Sequence, residues 1–138
     1  MAQAAKRKAE ESIFSGAFSS FSVDDLDSAK QFYGATLGLD VEETEEGLEI
    51  GVEDEVTIFV YPKDDHEAAT FTVLNFRVED IDAAVDELTD RGITFESYKG
   101  EMKTDEKGIF RGAETEKGPN IAWFKDPAGN ILSIMEPM

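Results

Sequence analysis

The stretches FSVDDLDSAKQFYGATLG (Phe21–Gly38) and FRVEDIDAAVDELTDRG (Phe76–Gly92) decide the fold, because they say nearly the same thing twice in one chain of 138 residues. With an offset of 55, Val23 falls on Val78, Asp25 on Asp80, Leu26 on Ile81, Asp27 on Asp82 and Ala29 on Ala84. A gap of one residue then brings Gly38 onto Gly92, Leu39 onto Ile93, Val41 onto Phe95 and Glu42 onto Glu96. In each copy the apolar residues first alternate, as in a strand. They then take helical spacing: Leu26, Ala29 and Tyr33 in one copy, Ile81, Ala84, Val85 and Leu88 in the other. Asp25 and Asp80 stand where an N-cap accepts orphan amide hydrogens, and Gly38 and Gly92 where each helix must stop and turn.

Beyond each glycine come short strand-like pieces. They are LDVEET, GLEIGV and VTIFVYP in the first copy, and ITFESY, NIAWFK and NILSIMEP in the second. The order is therefore βαβββ, twice, an α+β fold. Module one spans about 13–62 and module two about 69–137, within a single domain of 13–138 that follows a flexible segment of residues 1–12. The polar stretch PKDDHEAAT joins the modules, and DPAGN, with Pro127 and Gly129, makes the tight turn of the last hairpin. A small sheet with one helix on its outer face must still hide its other face. Two such sheets curved around a shared cleft solve that problem and form a small-molecule site.

Composition excludes several functions. The 31 Asp and Glu against 13 Lys and Arg leave a formal charge of -18, which repels phosphate backbones and anionic membranes, so nucleic acid and membrane are not expected partners. Such an acidic surface is also the pattern of a protein kept soluble in high salt. Ten Phe within 41% apolar residues provide for a real core. Cysteine is absent, which removes disulfides, thiolate metal sites and a thiol nucleophile. Acids follow the basic cluster of MAQAAKRKAEES, and no apolar run approaches the ~18 residues of a membrane span, so a cytoplasmic protein is expected.

VDDLDSAKQFYGATLGL, its repeat VEDIDAAVDELTDRG and the closing hairpin AWFKDPAGNILSIMEP resemble the vicinal oxygen chelate superfamily. That group holds glyoxalase I, ring-cleaving dioxygenases and bleomycin-resistance proteins. The resemblance runs from about Phe14 to Pro137 and implies the paired-module fold and a homodimer. It also implies, for the enzymes of the group, a divalent metal held by inward side chains of four strands. Aligned by the motifs, those positions are Phe18, Ile58, Val73 and Ser133. Phenyl and aliphatic groups offer a metal no lone pair, so neither metal nor cofactor is expected.

Strand alternation from these positions builds a cleft from Phe18, Ser20, Ile58, Val73, Asn75, Ser133 and Met135, with Trp123 as an aromatic wall. The insertion YKGEMKTDEKGIFRGAETEKGP adds Phe110 flanked by Lys107 and Arg111, a ring beside a possible carboxylate contact. The single histidine, His66, is read as a solvated linker residue. With it set aside, no Ser/His/Asp set can be built and no catalytic residue is assigned. The expected function is metal-independent binding of a hydrophobic or aromatic small molecule. The alternative is an enzyme of the lyase, isomerase or dioxygenase type whose active site has moved.

Overall fold

The computed structural model describes residues 13–53 and 56–137; the N-terminal segment 1–12 lies outside them. Two four-stranded sheets carry the repeat. In the first, β1 (Ser19–Val23), β4 (Val56–Pro62), β3 (Leu48–Val52) and β2 (Asp40–Glu43) lie side by side in that order. In the second, β5 (Thr72–Arg77), β8 (Ile131–Glu136), β7 (Asn120–Lys125) and β6 (Ile109–Arg111) repeat the same pattern. The first strand of each sheet runs parallel to the last, and the remaining pairs are antiparallel. Two βαβββ units therefore follow one another, as the duplicated sequence predicts.

Both helices begin as the repeat requires. Asp25 accepts from the Ser28 amide at 3.2 Å, and Asp80 from the Ala83 amide at 3.2 Å. Gly38 and Gly92 end the helices with φ of 74° and 97°, values that side chains with a Cβ rarely take. The helices differ in the middle. Helix α1 starts as an α-helix (Leu26–Lys30) and widens into a π-helical stretch (Gln31–Thr36), whereas α2 (Ile81–Asp90) is α-helical throughout. The one-residue gap between the copies is the cause. The first copy has one residue more between cap and glycine, and a wide turn absorbs it without displacing either end.

That turn brings two consecutive aromatics inward. Tyr33 is fully buried and packs edge-on against Phe32 at 5.1 Å, and Phe32 reaches Phe124 of the second sheet at 6.3 Å. The core is one layer, built from the helix-side residues of both sheets: Val23, Leu48, Ile50, Ile58 and Val60 from the first, and Ile109, Ala122, Phe124, Leu132 and Ile134 from the second. Ala29, Tyr33, Ile81 and Val85 fill it from the helices. Burying a side chain of this size contributes about 1.5–3 kcal/mol each.

The segment ITFESY differs from its expected strand. Residues 93–98 hold no ladder and share one backbone hydrogen bond with β7, Glu96 N–H to the Trp123 carbonyl at 2.8 Å, beside ring contacts of Phe95 with Phe124 and Tyr98 with Trp123. The reason is competition for one edge. Ile109, Phe110 and Arg111 from the insertion pair with Ala122, Ile121 and Asn120, and so occupy the outer side of β7. Among the described residues, no helix is long and apolar enough to cross a membrane.

A buried polar lock joins the modules. The Tyr33 hydroxyl donates to Asp126 Oδ2 at 2.7 Å, and Asn130 Nδ2 donates both to Asp126 Oδ2 at 3.0 Å and to the Ser22 carbonyl at 2.9 Å. Burial, followed by the adjacent carboxylate, pushes the Tyr33 phenol far up and keeps it a donor. Tyr33→Phe keeps the ring and removes only this bond. Hydrogen bonds to charged groups contribute about 1.5–3 kcal/mol, so urea denaturation is expected to show a loss of about 2 kcal/mol. A loss below about 0.5 kcal/mol, within the range of ordinary surface changes, would mean that the bond does not couple the modules.

Candidate functional site

Residues that alternate with the core project from the opposite face of each sheet. On the first sheet, Ser20, Phe59, Glu49 and Glu42 form one rung, and Thr57, Gly51 and Asp40 another; Ser22 pairs with Tyr61. Phe59 and Tyr61 stack at 6.1 Å with 16° between their planes. On the second sheet, Phe110, Ile121, Met135 and Arg77 make one rung, and Trp123, Ser133 and Asn75 the next. Sheet register thus brings Asn75, Phe110, Trp123, Ser133 and Met135 onto one surface. Ser20 stands on the corresponding surface of module one, and Phe18, just before β1, is 72% exposed.

The second-sheet surface is aromatic with a polar centre. Trp123 meets Tyr98 edge-on at 5.3 Å and Phe110 at 6.5 Å. Phe110 is buried beneath them, while Trp123 stays half-buried. Ser133 is fully buried and donates its hydroxyl hydrogen to Asn75 Oδ1 at 2.5 Å. Since a carboxamide offers an acceptor and two donors, this bond engages the acceptor of the exposed Asn75 and does not use its amide hydrogens. Tyr98, Phe59 and Tyr61 are ring contributors that the sequence reading passed over. Tyr98 opens an insertion whose path no local pattern sets, and the two first-module rings were hidden by the choice of Ile58.

Three positions lie elsewhere. Ile58 is 1% exposed and belongs to the core: β1 pairs Ser19 with Ile58 and Ser20 with Phe59, so Phe59 takes the outward place. Val73 falls in an irregularity of register between Thr72 and Leu74, and its side chain packs against the core cluster. Arg111 follows Phe110 on β6 and therefore points to the helix side. There its guanidinium grips Asp82 of α2 through two bonds, at 2.8 and 3.0 Å, and Asp105 through a third at 3.0 Å. Lys107 joins this cluster, 3.3 Å from Asp82 and 3.0 Å from Asp86. Both cations are engaged by carboxylates of their own chain, and the insertion is tied down onto α2.

His66 is not a solvated linker residue. Its ring is half-buried, with Nδ1 2.6 Å from Ser22 Oγ and Nε2 3.1 Å from the Ala128 carbonyl oxygen. The chain folds the linker back across the end of β1, a closure to which sequence spacing gives no clue.

A divalent metal would need nitrogen or oxygen donors converging from β1, β4, β5 and β8. The side chains at the matching positions are the rings of Phe18 and Phe59, the valine of the register irregularity and one engaged hydroxyl, and these do not fit a metal. Among the described residues, no group of three or more His, Asp or Glu is arranged to hold one.

Two sequential βαβββ units, each with one face packed on helices and one free, define the paired-module class of ligand-binding and metalloenzyme folds. Residues 18–134 match the model of the Glyoxalase/Bleomycin resistance protein/Dioxygenase superfamily, and the chain belongs to that family. Solved structures share the fold. A glyoxalase family protein from Enterococcus faecalis superimposes with a TM-score of 0.63 at 20% identity, covering 91% of this chain and 100% of its own. TnmS3, an antibiotic binding protein from Streptomyces sp. CB03234, gives 0.63 at 21% identity, with 92% and 100% covered. Lactoylglutathione lyase from Agrobacterium tumefaciens gives 0.57 at 20%, with 91% and 96% covered. No curated protein matches the chain.

The ion cluster that holds the insertion is pH-sensitive. The Arg111 guanidinium, ahead of Lys107, lowers the Asp82 carboxyl from an ordinary 3.8 to about 2. A carboxyl depressed by folding contributes stability above its unfolded value and loses that contribution as the pH falls through its folded one. The insertion is therefore expected to stay protected at pH 5 and to loosen between about pH 4 and about pH 2. Hydrogen exchange across 98–118, corrected for intrinsic rates, measures this. Asp82→Asn should show the looser pattern already at pH 5.

Proposed function

We propose that this protein binds a hydrophobic or aromatic small molecule without a metal ion, in a cleft walled by Trp123, Phe18 and Met135 and oriented by Asn75 and Ser133. One observation carries the reading: the outward rungs present rings and a hydroxyl–amide pair where metal chemistry would need imidazole or carboxylate donors. Stacking and area burial are the forces such a surface has to offer. The likeness to a protein described as antibiotic binding agrees with this class of ligand, at the level of fold.

The free faces also bear on assembly. β1 and β5 are edge strands of separate sheets, and open edges beside exposed rings favour a covering partner. A second copy of the chain, forming a homodimer, completes the proposal. Light scattering in molar salt, which screens the formal charge of -18, is expected to give twice the 15.2 kDa of one chain. A mass near 15.2 kDa rejects the dimer.

Trp123 is the sole tryptophan, so its fluorescence reports the cleft directly. A library of aromatic metabolites and antibiotics is expected to yield quenchers whose affinity a chelator leaves unchanged. Phe18→Ala should weaken them by about ten- to a hundredfold, the equivalent of about 1–3 kcal/mol. Equal binding to the Phe18→Ala and Asn75→Ala proteins would place the ligand elsewhere.

A further inference from the structure

Ser22 and His66 were far apart in sequence and are joined by the fold. Ser22 Oγ lies 2.6 Å from His66 Nδ1, and His66 Nε2 lies 3.1 Å from the Ala128 carbonyl oxygen. A carbonyl only accepts, so Nε2 carries a hydrogen, and in the neutral ring Nδ1 then presents its lone pair to the serine hydroxyl. Hydroxyl, imidazole and a third group that fixes the ring make up the arrangement in which a weak nucleophile gains a base.

Each part is held by a different element. Ser22 sits on β1, opposite Tyr61, with its carbonyl fixed by Asn130 Nδ2 at 2.9 Å. His66 follows a turn closed by its own amide on the Lys63 carbonyl at 3.1 Å. Ala128 belongs to the β7–β8 turn, whose shape Asp126 sets by accepting from the Ala128 and Asn130 amides at 3.0 and 2.9 Å. Gly129, with φ of 87°, lets that turn approach Ala68 of the linker. Neither Ser22 nor His66 is fully buried.

We propose that Ser22 is an acyl-accepting nucleophile and His66 its general base, acting on small activated esters with an aromatic leaving group. Tyr61, beside Ser22 and stacked on Phe59, offers the aryl group a seat. The hydroxyl proton passes from Oγ to Nδ1 as Oγ bonds to the ester carbonyl carbon. The bond from that carbon to the aryl oxygen then breaks, and Nδ1 returns the proton to the departing oxygen. Water, deprotonated by the same nitrogen, afterwards attacks the acyl-serine to release the acid and restore Ser22.

p-Nitrophenyl acetate and the intact chain provide the test. A burst of about one p-nitrophenol per chain is expected, with one acetyl group mapped by peptide mass spectrometry to Ser22. Ser22→Ala should abolish the burst. His66→Gln should slow it by about a hundredfold or more, the range of a lost general base. Urea midpoints of both variants separate loss of chemistry from loss of fold. If a variant does not fold, the acetylation site in the unaltered chain decides. Acetyl groups on lysines alone, or Ser22 acetylated equally fast in a folded His66→Gln protein, would overturn the proposal.

Discussion

The carboxylate of Asp126 is the constraint on which the two modules depend. It is 5% exposed and accepts from the Tyr33 hydroxyl, the Ala128 and Asn130 amides and the Asn130 side chain. A buried charge is tolerated only when its lone pairs are answered, and here four donors answer it. Each of them carries information about shape. Two fold the β7–β8 turn, one reaches across from α1 of the other module, and Asn130 continues to the Ser22 carbonyl. The extra residue of α1 takes part in the same event, because the wide turn delivers Tyr33 to Asp126 while leaving Phe32 against Phe124. From this lock follow the seating of the linker, the position of His66 and the separation of the core layer from the open sheet faces.

The two open faces differ in charge. Module one presents Asp40, Glu42 and Glu49 around Phe59 and Tyr61, with Glu42 and Glu49 directly opposite in the ladder. Like charges in that place repel, and salt relieves them. Module two presents Trp123, Met135 and Ile121 between Arg77 and Lys125, with the Ser133–Asn75 pair at the centre. Lys107 and Arg111 of the insertion do not add to this surface, since Asp82 and Asp86 of α2, with Asp105 beside them, hold them on the helix side. The open face of module two therefore rests on rings and one amide.

The sequence determined the duplication, the order of elements and the helix ends, because N-cap acids, stop glycines and the change from alternating to helical spacing act over a few residues. It also held the π-helical stretch in plain view, as the one-residue gap between the copies. That Asn75, Trp123, Ser133 and Met135 share one sheet face was legible because strand alternation in β5, β7 and β8 is local. Tertiary structure decided what depends on the pairing of distant strands. The β1–β4 register exchanged Ile58 for Phe59, and an irregularity in β5 turned Val73 toward the core. β6 displaced ITFESY from the sheet edge, and Arg111 found Asp82 on a helix. His66 became a partner of Ser22, 44 residues away, only when the linker closed over the Asp126 turn. The physical reason is common to all of them: a one-residue shift in pairing reverses a side chain's face, and no signal within a single strand fixes that pairing.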